Sequence, residues 1–247
     1  RCYALQRTRP LASATAKCFS VRIDIFRALL SWYSDMPRGG AARLTGLFLD
    51  TTYCRPSYVF PPQERVIAHV LETVRACLAD NKRTLFLVGS YQIGKERVFL
   101  AIAEMLKCRI YADARKRAML AKIGDAHLAS LLTDDSTSSN LHVLHMGAMN
   151  AARLSEYLKM YASQWTSLVA FRPTGWTHRG GADVELTRPA VHGCVKIFGL
   201  PYSEHSSFLE LECFVRSLRP TRVIPTVNVG APAERAAMQA HFDAWLG

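Results

Sequence analysis

Three residues of this chain combine proton-moving or metal-holding side chains with positions where the pattern turns from apolar to polar. Asp50 closes the run Leu47-Phe48-Leu49, so a buried strand carries a carboxylate at its C-terminal tip. Such an acid either caps a turn or holds a cation. His205 stands just ahead of the helical periodicity of Ser206–Leu218. An imidazole there is either an ordinary helix-start histidine or a group that exchanges a proton near neutral pH. Glu96 opens another helical stretch, where the helix dipole favours a carboxylate. His142 and His145 have a spacing that suits metal on a helix, but they lie on a strand-like run and read as core or surface histidines.

A second pattern suggests phosphate. Gly89-Ser90-Tyr91-Gln92-Ile93-Gly94-Lys95-Glu96 follows an apolar run and opens a helix, nearly spelling a nucleotide-binding loop. Its last position decides against that reading. The loop needs a hydroxyl there to hold magnesium, and Glu96 would point negative charge at a triphosphate. Tyr91 and Ile93 are also bulky for a loop that must wrap phosphate closely. No nucleotide triphosphate is expected. Lys95, Arg172 and the pair Ser206-Ser207 remain candidates for simpler phosphate contacts: Arg through a bidentate fork, the serines through the N–H groups of a helix start. Trp176 and His178 could stack on a base or be buried.

The elements that must position these residues alternate. Helical spacing covers Gln63–Leu78, Lys95–Leu106, Ala151–Tyr161, Ser206–Leu218 and Ala233–Leu246, the last with Pro232 at its start. Short apolar runs at Leu47–Leu49, Thr84–Val88, Leu141–Met146, Leu168–Phe171, Val195–Phe198 and Val223–Val227 predict strands. Gly124, Thr133–Asn140 and the stretch around Arg179–Gly181 read as loops. The alternation predicts layered α/β architecture without repeats.

Composition narrows the partners. Thirty-one Lys and Arg against twenty Asp and Glu leave +11 over 247 residues, an excess that favours a polyanion. The run Arg115-Lys116-Arg117 reads as a solvated helix face. Seven cysteines without a CxxC suggest reduced thiols rather than a disulfide framework. No apolar run approaches the ~18 residues of a membrane span, so no membrane is expected. Arg1–Ser20 is basic and free of acid, a faint likeness to a mitochondrial presequence. The chain starts with Arg rather than Met, which we read as a missing N-terminus.

Five strings occur in order between residues 47 and 230: Leu49-Asp50-Thr51-Thr52-Tyr53-Cys54, Tyr91–Glu96, Phe171–His178, Pro201–Ser207 and Ile224–Gly230. Together they resemble the DNA cross-link repair branch of the metallo-β-lactamase/β-CASP nucleases, the group that includes Artemis. The resemblance covers about three-quarters of the chain and fades before Leu44. It implies a metallo-β-lactamase αββα sandwich, here partial, with an inserted β-CASP α/β domain. Residues 45–61 and 166–247 would form the lactamase part and 62–165 the insertion, with 1–44 poorly matched. It further implies a nuclear zinc enzyme that hydrolyses DNA phosphodiesters 5′→3′ in interstrand cross-link repair, with repair proteins as further partners. Asp50 would then bridge two metals, and His205 would meet the second metal or the scissile phosphate. Glu96 would orient His205, and Val227 would stand where DNA-cutting members carry Val in place of His.

One departure limits this. The family's His-x-His-x-Asp-His is absent from the chain. Val21–Ala28 is similar to the stretch that should carry a further ligand histidine, but it has none. Asp50 and His205 alone are too few for zinc. The expectation is a truncated, inactive nuclease as supplied, with a non-catalytic DNA-binding or repair-scaffold protein as the alternative.

Overall fold

The structure, a computed structural model, describes residues 4–6, 44–175 and 188–247, the first three by backbone alone. In chain order the elements are β1 (Ala4–Gln6), β2 (Gly46–Leu49), α1 (Gln63–Asp80), β3 (Thr84–Ser90) and α2 (Glu96–Leu106). There follow β4 (Ile110–Ala112), α3 (Ala114–Ala121), α4 (Ala126–Leu131), β5 (Leu132–Thr133), β6 (Leu141–His145) and a 3-10 turn (Met146–Ala148). The chain continues with α5 (Ala151–Met160), β7 (Ser167–Pro173), β8 (Ala190–His192), β9 (Val195–Leu200), α6 (Phe208–Leu218), β10 (Val223–Pro225) and α7 (Pro232–Leu246). The α/β expectation is borne out. Two compact units result, one from residues 1–59 with 204–247 and the other from residues 60–203.

In the first unit β2 lies between β1, antiparallel, and β10, parallel. Leu47 and Leu49 are fully buried under α6 and α7, against Phe214, Val215, Phe242 and Trp245. The helix expected from Ser206 begins at Phe208 because Ser207 caps it. The Ser207 hydroxyl serves the Glu210 N–H while the Glu210 carboxylate accepts from the Ser207 N–H, a capping box. The strand expected through Val227 stops at Pro225, where Thr226 and Val227 turn aside to bond Leu49 and Thr51.

In the second unit a seven-stranded sheet runs β5-β4-β6-β3-β7-β9-β8, parallel except for the edge strand β8. Every residue of β3 is buried, as a parallel strand covered on both faces requires. Phe86 and Val88 face one core with Val70, Phe99 and Ile102, and Leu85 and Leu87 face the other with Leu154 and Leu168. At Gly89 an added Cβ would lie 2.8 Å from Met149 Cγ and 3.0 Å from Met146 Sδ, so only glycine lets the 3-10 turn pack this closely. Gln63, buried at the start of α1, donates from Nε2 to Ser203 O at 2.8 Å, tying together the two ends of the unit.

The sheet of the second unit runs on past residue 165. β7 pairs with β3 and β9 within one sheet, so the unit continues to Ser203. Within the poorly matched segment 1–44, Ala4–Gln6 pairs with Gly46–Phe48. The Arg115–Arg117 run is a helix, but it is more than a solvated face: Lys116 and Arg117 both bond backbone carbonyls. The rest of Arg1–Ser20, Val21–Ala28, Trp176, His178 and the Arg179–Gly181 loop lie outside the described residues.

Candidate functional site

In the first unit the parallel strands β2 and β10 end side by side, and their loops are laced together. Thr51, fully buried, donates from its hydroxyl to Val227 O (2.6 Å) and accepts from Val227 N (3.2 Å). Asn228, in the left-handed region (φ 60°), donates to Thr51 O and Thr52 O. This lacing fixes Asp50 at the tip of β2. Asp50 Oδ1 accepts from Thr52 N (3.0 Å) and Thr52 Oγ1 (2.6 Å), and Oδ2 lies 3.1 Å from His205 Nδ1. A carboxylate only accepts, so Nδ1 carries the proton and Nε2 is the basic nitrogen of the neutral ring. Burial pushes the Asp50 pKa up. The hydrogen bonds from His205 and Thr52, with the charge of His205, outweigh burial and hold the carboxyl well below the usual range. Tyr53 meets the His205 ring edge-on, centroids 5.9 Å apart. Burial pushes the neighbouring Cys54 thiol up to about 11, which leaves it protonated and unreactive.

Five of the expected residues therefore share the first unit: Asp50 and His205 touch, Val227 is tied to Asp50's neighbour, and Ser206 and Ser207 follow His205. The Ser207 hydroxyl is committed to the capping box of α6. The carboxylate that holds His205 in this unit is Asp50. Thr51 and Thr52 were not singled out from sequence; their only signal was membership of the string that begins at Leu49.

Lys95 and Glu96 belong to the second unit. Lys95 is the residue before α2, in the left-handed region (φ 75°), which is why the helix begins one residue later than its periodicity suggests. Its ammonium lies 5.2 Å from the centroid of the Tyr202 ring, a cation–π contact. The Glu96 carboxylate accepts from Gly94 N (2.8 Å), as an acid at a helix start does. Arg172 is exposed on β7 opposite Gly199. His142 is fully buried: Nε2 faces Ser136 O and Ser139 O, and Nδ1 faces the Tyr157 hydroxyl at 2.8 Å. His145 is exposed.

The donor set does not fit zinc. Among the described residues no group of three or more His, Cys, Asp or Glu is arranged to hold a metal. Zinc takes at least three protein ligands, and Asp50 with His205 supplies two. No helix among the described residues is long and apolar enough to cross a membrane.

Fold and site together define an α/β protein with a histidine–carboxylate pair at the ends of parallel strands. Residues 126–231 match the family described as DNA repair metallo-beta-lactamase. A DNA cross-link repair protein SNM1 from Arabidopsis thaliana is 45% identical over 206 residues, covering 83% of this chain and 43% of that protein. The human DNA cross-link repair 1A protein is 42% identical over 203 residues, covering 81% and 19%. The zebrafish (Danio rerio) 5' exonuclease Apollo is 27% identical over 182 residues, covering 74% and 28%. The chain spans less than half the length of these relatives. It belongs to the DNA repair metallo-β-lactamase family, in its DNA cross-link repair branch, as the five strings indicated.

Proposed function

We propose that this chain is the C-terminal part of a nuclear, zinc-dependent nuclease that removes nucleotides 5′→3′ from DNA during interstrand cross-link repair. The observation that carries the reading is the Asp50–His205 pair, fixed between two strand ends in a family whose relatives are named for cross-link repair and exonuclease action. In this reading His205, oriented through Nδ1 by Asp50, takes up a proton from water at Nε2 and, as the imidazolium, delivers it to the leaving oxygen of the phosphodiester. Lys95, Arg172 and the start of α6 at Ser206-Ser207 meet phosphates. The second unit is the β-CASP insertion, Glu96 is its first motif residue, and Val227 marks DNA as the substrate. Other repair proteins complete the partner set.

The missing His-x-His-x-Asp-His favours a second reading for the 247 residues by themselves: a protein that binds DNA without cutting it. The purified chain is expected to hold no pair of zinc ions and to release no nucleotides. It should bind DNA with an affinity that falls steeply as salt rises. Stoichiometric zinc with nucleotide release would overturn that expectation. The nuclease reading has its own test, the native transcript upstream of the Leu44 codon. An in-frame His-x-His-x-Asp-His supports it, and a start codon beside Arg1 without that motif replaces it with the non-catalytic reading.

A further inference from the structure

The loop from β3 to α2 carries two side chains that folding leaves in water: Tyr91 is 51% exposed and Ile93 62%. The loop that displays them is firmly held. Lys116 of α3 donates through Nζ to Ser90 Oγ (2.9 Å), Tyr91 O (2.8 Å) and Gln92 O (2.9 Å). Ser90 Oγ bonds Gly94 O at 2.8 Å, and Gly94 N bonds Glu96. An exposed ring on a fixed backbone loses little freedom when it meets a ligand.

The loop lies at the carboxyl ends of β3 and β6. These strands are neighbours, and the helices that follow them, α2 and α5, pack into opposite cores. Open parallel sheets bind ligands at such switch points. From the end of β6 the exposed His145 ring meets Tyr91 in a T, centroids 6.2 Å apart and planes at 83°. A T-shaped pair covers one face of one ring, so aromatic faces remain for a third flat group. The surroundings are cationic. Arg115 and Lys116 stand on α3, and Arg153 of α5 donates to Gly147 O, two residues past His145. The nearest carboxylates in sequence, Asp113 and Glu96, each accept from backbone N–H groups.

A ligand that is flat, aromatic and anionic fits this description, and an unpaired nucleotide is all three. In a duplex the base faces are already stacked on one another. We propose that Tyr91, backed by His145 and flanked by Ile93, is a stacking platform for an unpaired base of single-stranded DNA. Lys116 is the positioning residue of the loop. The assignment rests on the DNA-binding reading above and adds the form of DNA and the group that recognises it.

The test uses the full chain with a short single strand carrying 2-aminopurine, at low salt with a chelator present. Stacking quenches this base. The unaltered chain is expected to quench it, Tyr91→Ala to lose the quenching and bind roughly ten-fold more weakly, and Tyr91→Phe to retain both. An unchanged thermal melt controls for folding, since Tyr91 is outside the cores. Equal quenching by the unaltered chain and Tyr91→Ala overturns the platform, as does an abasic strand bound as tightly as the base-bearing one. If the unaltered chain binds duplex and single strands while Tyr91→Ala behaves identically, only the platform falls. If it binds no DNA at all, the DNA reading and the platform fall together.

Discussion

Asp50 receives three donors, two from Thr52 and one from His205, so its geometry is set by the protein before any ligand arrives. Thr51 performs the same service for the backbone one residue on, using a single hydroxyl to satisfy both polar groups of Val227. Thr51→Val keeps the volume and removes both bonds, leaving two backbone groups without that partner. It is expected to lower unfolding free energy by about 1–3 kcal/mol in urea titrations. His142 predicts a pH effect. Burial holds its pKa down at about 4, from an ordinary 6.5. The unfolded chain therefore takes up the proton first. The stability tied to a neutral His142 is complete above pH 6.5 and is lost as pH falls to about 4, by up to roughly 3 kcal/mol. Urea titrations between these limits should show a shallower slope for His142→Phe than for the unaltered chain; parallel slopes would falsify the assignment. The residues of the candidate site were legible as a list, because the strings around them are distinctive. Their partnerships were not. Asp50 and His205 lie far apart in sequence, and the packing of α6 against β2 brings them together.

At the scale of elements, the long helices and buried strands were legible because their apolar periodicity is strong: α1, α5 and α7 each fall within two residues of expectation. What sequence missed was short. β4 and β5 are three and two residues long, and α4 six. Too few positions are present for a period to show, and the sheet specifies them through its neighbours rather than through local propensity. β8 is exposed at every residue, so it had no apolar pattern to read. Gly89 belongs to this scale because it sets how closely the 3-10 turn approaches β3. Gly89→Ala meets Met149 Cγ at 2.8 Å, part-way along that side chain, so the turn itself must shift. A loss of about 1–3 kcal/mol is expected from thermal or urea unfolding, and an unchanged midpoint would show that the methionines yield freely.

At the scale of the molecule, the +11 charge and the basic surroundings of the β3–α2 loop point the same way, toward a polyanion, as composition alone had suggested. The second unit has two cores of its own on one sheet and is continuous in sequence. Residues 60–203 expressed alone are therefore expected to give a cooperative melt and native-like near-ultraviolet circular dichroism; a non-cooperative transition would show that this unit needs the rest of the chain. The first unit has no such independence, since β2 and its parallel partner β10 flank the whole of the other unit in sequence.

The bond from Gln63 to Ser203 acquires a meaning from the direction of protein synthesis. Leu47 and Leu49 leave the ribosome long before Val223 and Pro225, their respective partners across the sheet, have been made. Until then β2 presents apolar side chains and an unpaired edge, the features that recruit chaperones or seed aggregates. A second unit that folds as it emerges, with its two ends clasped, turns a long-range search into a local one. On this account Gln63→Ala lowers soluble yield during translation more than it lowers the stability of protein already folded.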